Sequence, residues 1–204
     1  MAMISPYIAD YGLDRYLSQH PSPESRRKII TQVAEALEYL HGNLSIVHGD
    51  LTSSALIIDD AGDVLITGFN LATTVEAGSE PTETIHRMQN TAQYAVPELF
   101  LDRAMDASGR QRSKTTYSDI YAFGMLIIEA WVLTGSLPCA GMVPLQIVYS
   151  MISGSLTVTR PENPALDDSL WAICVACWKR DPFHRPSSRD VLSALQREWT
   201  SLFN

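Results

Sequence analysis

The sequence predicts a mainly α-helical fold carrying one small β-hairpin, and three observations point there. A capped, amphipathic stretch opens at Ser22, two short β-prone runs flank Asp59-Asp60-Ala61-Gly62, and helical periodicity dominates from Ser118 onward. With 204 residues, 46% hydrophobic and 19% charged, the chain is long enough to bury a substantial core. No internal repeat, low-complexity segment or domain boundary is visible, so residues 1–204 read as one unit.

Each element has a local reason. Ser22 is a helix cap and Pro23 a first-turn residue, after which Ile29, Ile30, Val33, Leu37 and Leu40 recur at helical spacing until Gly42. The runs ALIIDD and DVLITGF meet through a turn-rich spacer, which predicts a hairpin. Ala72 to Gln93 is polar and aperiodic, as an irregular loop would be. Four helices follow, over Ile120–Leu133, Pro144–Ser153, Asp167–Trp178 and Ser187–Leu202, separated by proline-rich joints.

Charge and cysteine content narrow the function classes. The net charge of -8, from 23 acidic and 15 basic residues, disfavours nucleic acid and anionic membrane, which both need a surplus of Lys and Arg. The one basic run, Arg26-Arg27-Lys28, lies on a predicted helix and reads as a solvated face. Cys174 and Cys177 form a C-x-x-C without a second pair to complete a zinc site, within an apolar helix that suits buried thiols. The apolar run IYAFGMLIIEAWVLTG contains Glu129 and is short for a bilayer span, and the N-terminus lacks a signal-peptide pattern. Those features suggest a reducing compartment, cytoplasmic or nuclear, and no secretion.

Five segments occur in a fixed order: HGDLTSSA, GFN, TAQYAVPE, YSDIYAFGMLIIE and CWKRDPFHRPS. Together they resemble the catalytic loop, the D-F-G segment, the A-P-E segment, the central helix and the closing arginine loop of eukaryotic protein kinases, with leanings to the tyrosine-kinase-like serine/threonine branch. The resemblance runs from about Ile4 to about Phe203, with MISPYIADYGLDRYL similar to the hinge and the short helix after it. It implies the large C-terminal lobe of that fold, beginning where the β-rich small lobe would end.

The same resemblance shows what the chemistry lacks. Phosphoryl transfer is mostly positioning and electrostatics, requiring metal ions, a lysine on the phosphates and an aspartate facing the acceptor hydroxyl. Asp50 matches the aspartate, with satisfaction of the loop's own backbone N–H groups as its alternative role. Ala55 and Gly68 stand at the metal-ligand positions, Thr52 at the lysine and Gly49 at the arginine that pairs with activation-loop phosphate. Thr73, Thr74, Ser79, Thr82 and Thr84 therefore have no such arginine waiting for them. No glycine-rich loop, lysine strand or helix glutamate precedes the hinge, and Asp59 and Asp60 sit at a turn rather than at a metal site. Matches to structural positions are His48, Phe69, Asp119 and the pair Glu98 and Arg185, with Ile57 as an adenine-floor contact. Asn70, at the D-F-G glycine, is suited to left-handed backbone.

The expectation is a degraded D-F-G motif in a pseudokinase, needing no cofactor, that binds a protein partner or itself through the exposed upper face of the lobe. The alternative is an atypical serine/threonine or tyrosine kinase using ATP and magnesium, with its small lobe supplied elsewhere. A truncated product without a selected role is the third reading.

Overall fold

The computed structural model describes residues 11–75, 92–100, 114–132, 139, 141–162 and 166–201. Ile4 to Asp10 of the hinge-like segment, together with Ser79, Thr82 and Thr84, lie outside these residues.

Six α-helices and two small antiparallel sheets are present among the described residues. Strand β1 (Tyr11–Gly12) leads into α1 (Leu13–Gln19) and α2 (Pro23–Glu38). Ser22 caps α2 by accepting from the Ser25 N–H at 3.1 Å, and the apolar stripe Ile29, Ile30, Val33 and Leu37 is fully buried. The helix widens at its end into one π-helical turn over Tyr39–Asn43, where the Leu44 N–H reaches the Tyr39 carbonyl at 3.2 Å.

The hairpin forms from β3 (Leu56–Ile58) and β4 (Val64–Ile66), with Ile57 opposite Leu65. Asp59 shapes its turn by accepting from the Ala61 and Asp63 N–H groups, each at 2.9 Å. The pattern predicts only two strands here, but β1 adds a third through Tyr11–Ile58 and Gly12–Ile57 pairs, giving the order β1-β3-β4. The expected irregular loop also begins with structure: β5 (Thr73–Thr74) pairs with β2 (Ile46–Val47), and Ala92–Tyr94 forms a 3-10 turn.

Helix α3 (Thr116–Val132) is the centre of the fold, because every residue from Ser118 to Trp131 is buried. A helix apolar all round must be surrounded, and α1, α2 and α5 (Asp168–Cys177) pack on it. Helix α4 (Pro144–Ser153) follows α3, and α6 (Ser188–Ser201) closes the chain against α2. No described helix is long and apolar enough to cross a membrane.

The run Arg26-Arg27-Lys28 is a solvated face only in part: Lys28 is exposed, Arg27 half-buried and Arg26 buried. Arg26 turns inward and donates from Nε to the Ala130 carbonyl at 2.8 Å, while Arg27 pairs with Asp167 and Lys28 with Asp63. The position of Arg26 beside the buried helix end outweighs its polarity, since its Nε and Nη1 both donate to carbonyls there. Cys174 and Cys177 are fully buried and unpaired, and burial pushes both thiols up, Cys177 to about 12. They pack as small apolar groups.

Candidate functional site

The loop from His48 to Ala55 connects β2 to β3 and is held from behind by α3. Asp119 accepts from the His48 N–H at 2.8 Å on one oxygen and from the Gly49 N–H at 2.9 Å on the other. His41 Nε2 donates to the same carboxylate at 2.9 Å, a contact with no sequence signal beyond a histidine at the helix end. Leaving a buried N–H without an acceptor costs about 1–3 kcal/mol, so Asp119 fixes the loop's entry as a unit.

His48 carries the frame across to the hairpin. Its Nε2 faces the Thr67 carbonyl at 2.8 Å and its Nδ1 accepts from the Asp50 N–H at 3.2 Å, which together require the neutral ring with its proton on Nε2. The imidazole packs edge-on against Phe69, with centroids 4.9 Å apart.

Gly49 has φ +77°, and a Cβ there would stand 2.7 Å from the Leu71 carbonyl oxygen. The backbone is thus shaped around a glycine, and an arginine could not enter without moving Leu71. Lys114 donates from Nζ to the Gly49 carbonyl, a tie between positions 65 apart that local pattern does not announce.

The front of the loop carries Asp50, Thr52 and Ala55. The Asp50 carboxylate is half-buried and accepts no hydrogen bond among the described residues, so it does not serve the loop's backbone. Thr52 is buried with its hydroxyl 2.8 Å from that of Ser54. Gly68 has φ +79°, and a Cβ built on it would lie 3.8 Å from Ala55 Cβ: the two positions meet, and they offer a hydrogen and a methyl group. Left-handed backbone falls on Gly68 rather than on Asn70, which sits in the 3-10 turn Phe69–Leu71; glycine adopts that conformation without the steric cost asparagine carries. Ile57 is half-buried between the buried Leu56 and Ile58, so the pleat turns it away from the core. Asp59 and Asp60 remain at the hairpin turn, and no group of three or more His, Cys, Asp or Glu able to hold a metal occurs among the described residues.

Behind the loop, Arg185 and Glu98 form a bidentate pair with both N···O distances at 2.7 Å. The Arg185 guanidinium also donates to the Lys179 carbonyl at 2.8 Å and the Tyr117 carbonyl at 3.0 Å, and it lies over the Tyr121 ring at 5.0 Å. Every polar edge of a fully buried cation is thereby engaged.

Glu129 is the residue that sequence reasoning passed over, noticed only as a break in an apolar run. It is buried near the other end of α3, where its carboxyl lies against the Ser53 side chain of the loop and Oε2 has no partner among the described residues. Burial raises its pKa to about 7, against the smaller lowering effect of Ser53, with Asp14 adding a further upward push. A lone carboxylate inside the apolar run from Ile120 to Val132 was the available signal.

The protein kinase domain family matches residues 1–200 of the chain. A probable serine/threonine-protein kinase of Dictyostelium discoideum is 30% identical over 83% of the chain and 16% of its own length. A mitogen-activated protein kinase kinase kinase of Drosophila melanogaster is 28% identical over 96% of the chain and 16% of its own length. Kinase suppressor of Ras A of Caenorhabditis elegans is 29% identical over 84% of the chain and 23% of its own length. The chain thus spans less than a quarter of each of these relatives. With the ordered motifs, the helical fold around α3 and this match over nearly its full length, the chain belongs to the protein kinase domain family.

Proposed function

We propose that this chain is a catalytically impaired protein-kinase-like domain that works by binding protein, as an interaction or regulatory module. The observation carrying this reading is the meeting of Ala55 with Gly68, at the two positions where the kinase motif has its metal ligands. Magnesium requires oxygen donors in near-octahedral array, and a methyl and a hydrogen do not fit it. Thr52, buried and bonded to Ser54, supplies no cation in place of lysine.

What persists is the frame that a binding scaffold needs: Asp119 under the loop and Arg185 on Glu98. The proposed binding face is the outer side of the three-stranded sheet, where Ile57 and the exposed Leu65 stand opposite each other. A net charge of -8 suits a protein partner better than nucleic acid or an anionic membrane.

One observation favours a second reading, an atypical protein kinase using ATP and magnesium with its small lobe supplied by other sequence. The Asp50 carboxylate is uncommitted among the described residues, as a base facing an acceptor hydroxyl would be. Thermal melting with ATP, with and without magnesium, separates the two. The binding-module reading expects no magnesium-dependent rise in Tm; a reproducible rise that needs both ATP and magnesium would transfer the chain to the kinase reading.

A further inference from the structure

A cavity of about 400 Å³ opens between α3, α4 and α5 and shares no residue with the loop His48–Ala55. Its volume falls in the range of about 300–1,000 Å³ typical of small-molecule sites. Met151, Leu156, Val175 and Trp178 supply apolar wall. Two polar features within it are unexplained by the fold.

The first is Tyr121. The residue is 4% exposed, and among the described residues its hydroxyl has as partner only the Met151 sulfur, at 3.9 Å. A thioether is a weak acceptor, so a buried donor is left short of an oxygen. Burial also pushes the phenol up, which keeps its proton in place, and the Arg185 guanidinium fixes the ring from one side.

The second is the charge at the rim. Among the described residues, Lys179 and Arg180 line the cavity and no Asp or Glu does, although the chain holds 23 acidic against 15 basic residues. Arg180 is held in place: it donates to the Ile152 carbonyl at 2.8 Å and packs where a side chain on Gly154 would stand. Neither cation forms an ion pair with a carboxylate among the described residues.

We propose that this cavity is a site for a small amphipathic carboxylate. Its apolar body lies among Met151, Leu156, Val175 and Trp178, one carboxylate oxygen accepts from the Tyr121 hydroxyl, and Lys179 offsets the charge at the rim. The Tyr121 hydroxyl and the Lys179 ammonium, which forms no ion pair among the described residues, match a singly charged head with two oxygens.

The test uses 4-phenylbutyrate against 4-phenylbutanol and 4-phenylbutylamine, three probes sharing one apolar body. Methyl-labelled methionine NMR of the full chain follows the Met151 resonance, assigned by Met151→Leu. The acid is expected to shift Met151 saturably and the amine to fail. Tyr121→Phe, which keeps the ring under Arg185, weakens the acid about tenfold, the loss expected for a hydrogen bond to a charged group. Lys179→Gln, on the exposed rim, flattens the salt dependence of binding. No saturable shift up to the solubility limit of the acid, equal affinities for all three probes, or an unchanged affinity in Tyr121→Phe would each overturn the proposal.

Discussion

Two halves of one loop face two buried acids of α3, and the halves differ. His48 and Gly49 rest on Asp119, whose oxygens meet both backbone N–H groups and His41. Asp50 to Ala55 runs past Glu129, which lies against Ser53 with one oxygen partnerless among the described residues, and this half presents a carboxylate with no described partner, a buried threonine and a methyl group. Backbone polar groups in a core must be satisfied whatever the protein does, so the half that holds the chain is complete. Side chains that serve chemistry carry no such obligation to the fold. Their positions can change to alanine or glycine while the loop keeps its path.

The largest effect is expected where the holding half is anchored. Arg185→Ala strands the Glu98 carboxylate in the core, and breaking a buried pair in this way costs about 3–5 kcal/mol. For a chain of this length that is a fall in Tm of roughly 10 °C, read by circular dichroism or calorimetry. Replacing both partners, as Glu98→Gln with Arg185→Met, should cost less than the single change because no lone charge remains. A Tm for Arg185→Ala close to that of the parent would remove the pair from the frame.

These two halves were not equally legible. The bounds of α4 and the hairpin follow from local rules: Pro144 starts a periodic run, and β-prone triplets flank a turn. Strands β1 and β5 are two residues each, too short for any alternation to register, and they exist only because distant partners accept them. Arg26 and His41 were opaque for the same reason, since their partners Ala130 and Asp119 lie 104 and 78 positions away. Nothing near Glu98 or Arg185 says that they meet; only the order of the motifs suggests it, and Lys114 on Gly49 belongs to no motif. Asn70 was misjudged because a neighbouring glycine takes the left-handed backbone at lower cost.

The second prediction sharpens the contrast between the acids. Glu129 titrates near pH 7 when folded and near its ordinary value of 4.5 when unfolded, through burial first. Between those values the folded state holds a proton that the unfolded state has released, so stability falls as pH rises across the window and stays low above it. Glu129→Gln keeps the shape and removes the proton. It should therefore be more stable than the parent at pH 8, on the order of 2–3 kcal/mol, and about equal to it below pH 4.5. Denaturant melts at several pH values give the answer; a difference that does not vary with pH would mean that Glu129 titrates alike in the folded and unfolded states.

The smallest effect is expected at Asp50. A carboxylate that satisfied its own loop would cost about 1–3 kcal/mol on replacement, through the donors it left unpaired. The carboxylate of Asp50 accepts from no described residue, and its backbone N–H is already bonded to His48 Nδ1 at 3.2 Å. Asp50→Asn should then change stability by less than about 0.5 kcal/mol in either direction, as at an uncommitted surface position. A loss above 1 kcal/mol would place Asp50 with the holding half of the loop, and the division between frame and chemistry would have to be drawn after Asp50 instead of before it. A near-zero change leaves Asp50 available to a ligand alone, which is the condition under which the magnesium-dependent melting experiment becomes the deciding one.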